Sequence, residues 1–346
     1  MSVVETPATE VELVAIIRQA AALHRPVRVG HPTRTRHRRG REILIDLSGY
    51  RRAVRIDREA GWATFEAGTP LWLVDHTLGC WGLSRENGSR DPTQSLGAAV
   101  SLGAHGSAAR MGGLVTQVTA LRLITPAGEL LDCSTAEEPE IFDAARIGLG
   151  AFGVISTVTL RCQPGFNLRA STFRTPLGEA IDGFDGYADT NDYCELSWLP
   201  GRAKAKVMVA NRTDDPPDGR AVGRSYRWWN RRRMPPPPLA YAVARHDWAR
   251  AARRARELSA GRRGALLFPV EVSVSAGDAL AMSPTQGDAS VYISGVAGLD
   301  GRPQWGGPHG MSEAALRARY PRWDEWQAVR ERLDPDRAFA HNRGQG

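Results

Sequence analysis

The chain has 346 residues and a mass of 37.7 kDa, enough for a large core and two domains. Its formal charge of +7 rests on 43 arginines and two lysines, Lys204 and Lys206. The arginines form no single stripe and accompany no aromatic-rich or helix-turn-helix module, so nucleic-acid binding is not expected. No apolar run approaches membrane-spanning length, and no basic-then-apolar leader opens the chain, so neither a span nor a signal peptide is expected. Four cysteines lack metal or redox spacing, which suits a reducing cytoplasm and gives no metal site.

In chain order, Thr9-x-x-Glu12 reads as a capping box opening a helix over residues 9–24, with Val11, Val14, Ala15 and Ile17 on its apolar face. Strands are predicted over 26–29, 43–47, 53–57 and 62–67, and Gly68-Thr-Pro70 opens a helix over 71–78. Glycine, alanine and serine then dominate the run from Gln94 to Ser107, a composition that lets backbone approach something flat or charged. A strand over 118–125, a helix over 139–147 and a strand over 154–161 complete an α+β domain ending near residue 165.

The second part is less regular. Residues 193–198 and 205–210 alternate like half-buried strands. A linker runs from Asp214 to a polyproline stretch at 235–238. A helix is predicted over 247–258, strands over 267–275 and 289–294, and two helical stretches between 312 and 333, broken at Pro321.

Gly148-Leu-Gly-Ala-Phe-Gly153 matches the dinucleotide pattern G-x-G-x-x-G, but a helix precedes it and a strand follows. A pyrophosphate fingerprint needs the reverse order, so a Rossmann site is excluded. No hydrolase elbow, zinc-protease or Walker motif occurs.

Together, Val27-Arg-Val-Gly-His31, Gly88-Ser-Arg-Asp-Pro-Thr-Gln94, Gly103-Ala-His-Gly106, Gly112-Gly-Leu-x-x-Gln117 and Gly148 to Ile155 occur in an order that resembles the PCMH-type FAD-binding domain of the vanillyl-alcohol-oxidase superfamily. Within it the chain is most similar to the aldonolactone and alditol oxidases. Ser197-Trp-Leu-Pro200, residues 268–272 and Pro303-Gln-Trp-Gly306 extend the resemblance over nearly the whole chain. It implies an α+β fold with an FAD domain over 1–165, a cap (substrate) domain over 166–299 and a C-terminal segment, 300–346, returning to the FAD domain. Implied cofactor contacts are Gly30, His31, Gly88, Ser89, Gln94, Ser95, Gly97, Ala98, Ser101, Gly103, His105, Gly106, Gly153, Val154 and Ile155. Backbone amides in such turns form an anion nest, and small side chains admit a flavin face.

Three departures accompany the resemblance. The first flavin loop is shortened to Gly30-His31-Pro32, and Pro32 supplies no N–H. His31 stands nearest the position of a covalent flavin anchor, with His37 a poorer candidate. The family's Glu-x-Arg pair reads Glu271-Val-Ser273, and its His-Trp-Gly-Lys motif reads Gln304-Trp-Gly-Gly307, which leaves Glu271 and Gln304 as the catalytic candidates. The chain is also shorter than usual between Gly295 and Arg302. The expectation is an FAD-linked oxidoreductase acting on CH–OH groups of a polyol, sugar lactone or related secondary metabolite, with FAD held non-covalently and weakly. The alternative is a repurposed homologue that performs redox-neutral chemistry or only binds a small molecule.

Overall fold

The computed structural model describes residues 3–32, 42–89, 91–216, 239–260 and 269–339. The basic run at 34–39 with His37, the polyproline stretch and the start of the strand predicted at 267 lie outside the described residues.

The chain opens with β1 (Val3–Glu5), α1 (Glu10–Ala22), β2 (Val27–Val29) and β3 (Ile43–Ile45), a small parallel sheet in the order β1-β3-β2. Thr9 caps α1 by accepting the Glu12 N–H, and the Glu12 carboxylate accepts the Ala8 N–H. This ties down amides that no helical carbonyl can reach. The helix buries Leu13, Ile17 and Ala20 against the small sheet.

The next unit comprises β4 (Ala53–Asp57), β5 (Trp62–Glu66), α2 (Leu71–Cys80), β6 (Leu83–Ser84), α3 (Leu96–Ser101), β7 (Val118–Ile124), β8 (Leu130–Ser134), α4 (Pro139–Ala145), β9 (Val154–Arg161) and β10 (Gln163–Pro164). Five of its strands form an antiparallel sheet in the order β4-β5-β9-β7-β8. β9 alternates buried and half-buried residues along most of its length, because one face meets the helices. The glycine run is only partly loop: Ser95 caps α3, accepting the Ala98 N–H at 3.4 Å.

The cap contains β11 (Asn167–Pro176), α5 (Leu177–Asp182), α6 (Phe184–Thr190), β12 (Tyr193–Trp198), β13 (Lys204–Thr213), β14 (Ala240–Ala244), α7 (Trp248–Ala260), β15 (Val270–Ser275), β16 (Ser290–Ser294) and β17 (Arg302–Pro303). Its strands make one seven-stranded antiparallel sheet, β11-β13-β12-β15-β16-β14-β17. Val270, Val272, Val274, Val291 and Ile293 share a face with Leu196, and α5, α6 and α7 cover it with Leu177, Phe184 and Trp248. The opposite face carries Glu195, Ser197, Glu271, Ser273, Tyr292 and Ser294 and turns toward the first two units. Every residue of β15 and β16 is buried, so both faces are covered.

After β17 the chain leaves the cap. α8 (Glu313–Arg317) and α9 (Trp323–Leu333) bring Leu316, Trp323 and Trp326 into the core of the five-stranded sheet. Phe339 then lies beside Val27 of the small sheet, whose N–H donates to the Ala338 carbonyl. Asp334 fixes this return by accepting the N–H groups of Ala338 and Phe339, while burial raises its carboxyl above the ordinary range.

The architecture is the mixed α+β arrangement expected, with antiparallel main sheets. The strands β1, β6, β8, β10, β11, β14 and β17 and the helices α3, α5 and α6 are not expected from the sequence. β11 shows no apolar alternation because most of it is exposed, while α3 is short and carries small residues with little helical bias of their own.

Burial pushes the thiols of Cys133 and Cys194 up to about 12 and that of Cys162 to about 11, whereas Cys80 is exposed. A neutral buried thiol is a poor nucleophile. A colorimetric thiol titration of native protein at neutral pH is expected to show one fast-reacting group, lost in Cys80→Ser. Cys133 and Cys194 react only after denaturation.

Candidate functional site

The glycine-rich loops are assembled around two buried amides, Asn87 and Gln117. Gln117 accepts the Glu86 N–H at 2.8 Å and donates to the Asn87 carbonyl at 2.9 Å. Asn87 in turn donates to the Gly112 carbonyl at 2.9 Å and accepts the Gly88 N–H at 3.0 Å. These bonds join the Gly88 turn to the loop that follows α3. Gln117 was visible as a motif residue; Asn87 was missed, since nothing in its local sequence marks it.

A Cβ on Gly106 would lie 1.9 Å from Asn87 Oδ1 and 2.9 Å from the Gly88 carbonyl oxygen, so only glycine lets the two loops touch. Gly97 donates to the Ala67 carbonyl at 2.8 Å at the start of α3, and Leu149 donates to the Ser101 carbonyl at 3.1 Å. Gly153 has φ +105, and its absent Cβ would fall 2.1 Å from the Ile124 carbonyl oxygen, immediately before Val154 and Ile155 enter β9. The segments 91–95, 103–106 and 148–153 are thus drawn around α3, with Gly88 and Ser89 close by. Ser89 Oγ lies 3.3 Å from Gln94 Oε1. Gly30 and His31 follow β2, where the Gly30 N–H donates to the Ile45 carbonyl.

The cap closes on this assembly. Cys194 donates to the Ser107 carbonyl and Ala276 to the Met111 carbonyl, so the loop after α3 is held from β12 and from the end of β15. The His105 ring lies flat on Tyr292 of β16, with centroids 3.4 Å apart and planes 5° apart. Its Nδ1 lies 3.0 Å from the Gly106 carbonyl oxygen and its Nε2 3.3 Å from Gln304 Oε1. Two residues singled out from sequence, almost two hundred positions apart, therefore touch.

Glu271 is 6% exposed on β15, in register between Ser197 of β12 and Ser294 of β16. Ser273, two residues on, is opposite Tyr292 and Glu195. Tyr292 bonds to Thr285, and burial raises its hydroxyl far above the ordinary range, so it stays neutral. Asp278 holds this corner by accepting from Ser283 at 2.6 Å and Thr285 at 2.8 Å. The Tyr292–Thr285–Asp278 group was not legible beforehand because its members meet only in the folded cap.

Family models match residues 1–134 as an FAD binding domain and residues 158–236 and 295–343 as D-arabinono-1,4-lactone oxidase. The L-gulono-1,4-lactone dehydrogenase of Mycobacterium tuberculosis is 31% identical over 99% of this chain and 94% of its own. The chain belongs to the PCMH-type FAD-linked oxidase superfamily, among the relatives of the aldonolactone oxidases. That alignment runs over 410 positions, so this chain of 346 residues lacks at least 64 that the relative holds. The L-gulonolactone oxidase of Bos taurus is 27% identical over 86% of this chain and 83% of its own. Among solved structures, a variant of cholesterol oxidase from Brevibacterium sterolicum shares the fold, with TM-score 0.75, 17% identity and coverage of 97% of this chain and 92% of the other. Among the described residues no cluster of His, Cys, Asp and Glu could hold a metal ion, and no helix is long and apolar enough to cross a membrane.

Because the two loops touch at Gly106, Gly106→Ala is expected to lower stability by about 2–3 kcal/mol through overpacking. Gly88→Ala meets only the far end of Arg85, at 3.4 Å, and is expected to cost under about 1 kcal/mol. Urea unfolding of the two variants side by side checks this; equal midpoints would contradict the close approach.

Proposed function

We propose that this chain is an FAD-dependent oxidoreductase acting on the CH–OH group of a sugar lactone, polyol or related secondary metabolite. The observation that carries the reading is the meeting of the glycine-rich loops with the polar face of the cap sheet at one interface, where Glu271 and Ser273 are buried.

The residues present fit the cofactor. Among the described residues two buried hydroxyls have no partner: Thr69 Oγ1, whose own carbonyl accepts the Leu96 N–H at the start of α3, and Ser273 Oγ on the sheet face. Buried polar groups are nearly always satisfied, so these two orphaned hydroxyls, one beside the start of α3 and one on the polar face of the cap sheet, favour a polar ligand. Gly88, Ser89, Gln94, Ser95, Gly97, Ala98, Ser101, Gly103, His105, Gly106, Gly153, Val154 and Ile155 would hold FAD through side-chain donors and backbone, together with Gly30 and His31. When bound, FAD supplies the acceptor for the hydride that leaves the CH–OH carbon.

The chain's own contribution is proton handling and exclusion of water. Glu271, in its buried seat, is the group that would take the hydroxyl proton as C–OH becomes C=O. The covered faces of β15 and β16 keep the site dry, which strengthens any charge interaction inside it. Ser273 and Gly307 put no cation where the resemblance expects arginine and lysine. A preorganised donor of that class is worth about 3–4 kcal/mol in a transition state. This loss favours slow oxidation, or a second reading in which the cleft performs redox-neutral chemistry or only binds a small molecule.

Absorbance of purified protein decides between the two readings: stoichiometric flavin bands are expected, and a colourless, well-folded protein that takes up no FAD would leave the second. Any flavin is expected to be held without a covalent bond, so acid precipitation releases all of it, and flavin retained in the pellet would instead make His31 a covalent anchor. With FAD supplied, peroxide release on simple alditols and aldonolactones is expected to stay below about one turnover per second, the low end of ordinary enzyme rates. Glu271→Gln is expected to lower the rate of flavin reduction by a further factor of about 100 or more.

A further inference from the structure

The two ring nitrogens of His105 both face oxygen. Nδ1 is 3.0 Å from the Gly106 carbonyl, and Nε2 is 3.3 Å from the side-chain oxygen of Gln304. Neither oxygen has a proton to give, and an imidazole donates from both nitrogens only when it carries two protons. The ring is held flat against Tyr292, an aromatic face that attracts a cation, and both side chains are nearly inaccessible.

The position of this ring matters as much as its bonding. Tyr292 is the register partner of Ser273, and Gln304 stands three residues before Gly307. His105 therefore touches the register partner of Ser273 and a residue three positions before Gly307, the two positions at which the resemblance expects a cation. The loop that carries it is fixed on both sides: Leu114 donates to the Ala104 carbonyl, and Cys194 donates to the Ser107 carbonyl.

We propose that His105 is a fixed imidazolium, held by Gly106 and Gln304, that supplies from the glycine-rich loop the positive charge absent at Ser273 and Gly307. Its target is negative charge developing on a bound group in the interface. That role toward the cofactor rests on the flavin reading above, whereas the charge state of the ring does not. His105 acts here as an electrostatic positioning residue, with Gln304 as the residue that sets its protonation. The titratable groups around it are Tyr292 on β16 and Glu271 on the same face of β15, while Asp278 and Arg302 act on Tyr292 through space. Tyr292 stays neutral through its burial, so the ring face under His105 carries no charge of its own.

The test is a pH titration of histidine ring signals by NMR in full-length protein labelled at histidine, with the His105 signal assigned by its loss in His105→Gln. In the wild type, His105 is expected to keep both ring protons at pH 8, above the ordinary histidine midpoint of about 6.5. Gln304→Leu removes an acceptor from the charged form and is expected to lower the His105 midpoint by about one unit or more; Gln304→Glu is expected to raise it. An upward shift in Gln304→Leu would mean that Gln304 presents its NH2 group to a neutral ring, and the proposal fails. Should His105→Gln not fold, comparison of the Gln304 variants still assigns the signal by its movement. In FAD-loaded protein, Gln304→Leu is expected to reduce the preference for reduced over oxidised flavin about tenfold at pH 8, read from the midpoint potential. An unchanged preference beside a confirmed imidazolium overturns the cofactor role. A wild type that takes up no FAD removes that role together with the flavin reading, and the titration alone then decides the charge state.

Discussion

The alternation in β15 and β16 is the constraint on which the interface depends. Val270-Glu-Val-Ser-Val-Ser275 and Ser290-Val-Tyr-Ile-Ser294 send their branched apolar residues to one face and their polar residues to the other. Because side-chain direction has a strict period of two, the apolar face can meet α5–α7 only if Glu271, Ser273 and Tyr292 turn toward the glycine-rich loops. Burying a polar face is costly unless its groups find partners, so whatever meets it must present donors and acceptors at close range. The loop after α3 does so with backbone: Met111 offers its carbonyl to the Ala276 N–H and to the Ser275 hydroxyl.

Close approach is then the second requirement, and it falls on a few glycines rather than on the glycine-rich composition as a whole. Gly106 and Gly153 are packed against carbonyl or amide oxygens of the protein itself, so their first duty is structural. This does not compete with ligand contact. A backbone drawn tightly against its own scaffold on one side is rigid on the other, and rigidity is what gives a backbone nest its affinity for an anion. The Asn87–Gln117 pair belongs to the same logic, since it converts two separate turns into one surface through bonds that local sequence does not announce.

Much of the fold was legible because its strands bury one face. β9 and β12 came out with their observed limits, and α1 was marked by its cap. What escaped follows from physics that a local pattern does not carry. β11 pairs along its whole length with β13 while remaining exposed, so no apolar period marks it. α3 exists because Ser95 caps it and the Ala67 carbonyl receives the Gly97 N–H, both long-range or local polar events in a stretch poor in helix formers. For the candidate site, residue types singled out the loops and Glu271 as candidates, but the contact between His105 and Gln304 depends on β17 joining the far edge of the cap sheet. No spacing rule connects residues so distant in sequence.

A cleft with Ser273 and Gly307 in place of arginine and lysine need not be empty of charge, because charge can be delivered by another element of the same interface. Arginine and lysine carry their charge at any ordinary pH, whereas an imidazolium exists only while its neighbours sustain it. In this chain that condition is met by the buried Gly106 carbonyl, the half-buried side-chain oxygen of Gln304 and the buried aromatic face of Tyr292. A site tuned by Gln304 and Tyr292 in place of fixed cations would have its electrostatics set by packing between the loop and the cap. Relative movement of those two parts would then alter the charge felt by a bound group as well as the shape of the cleft. The polar face of the cap sheet thus joins the fold to the chemistry, since the burial of Val272 and Ile293 behind it holds Tyr292 under His105.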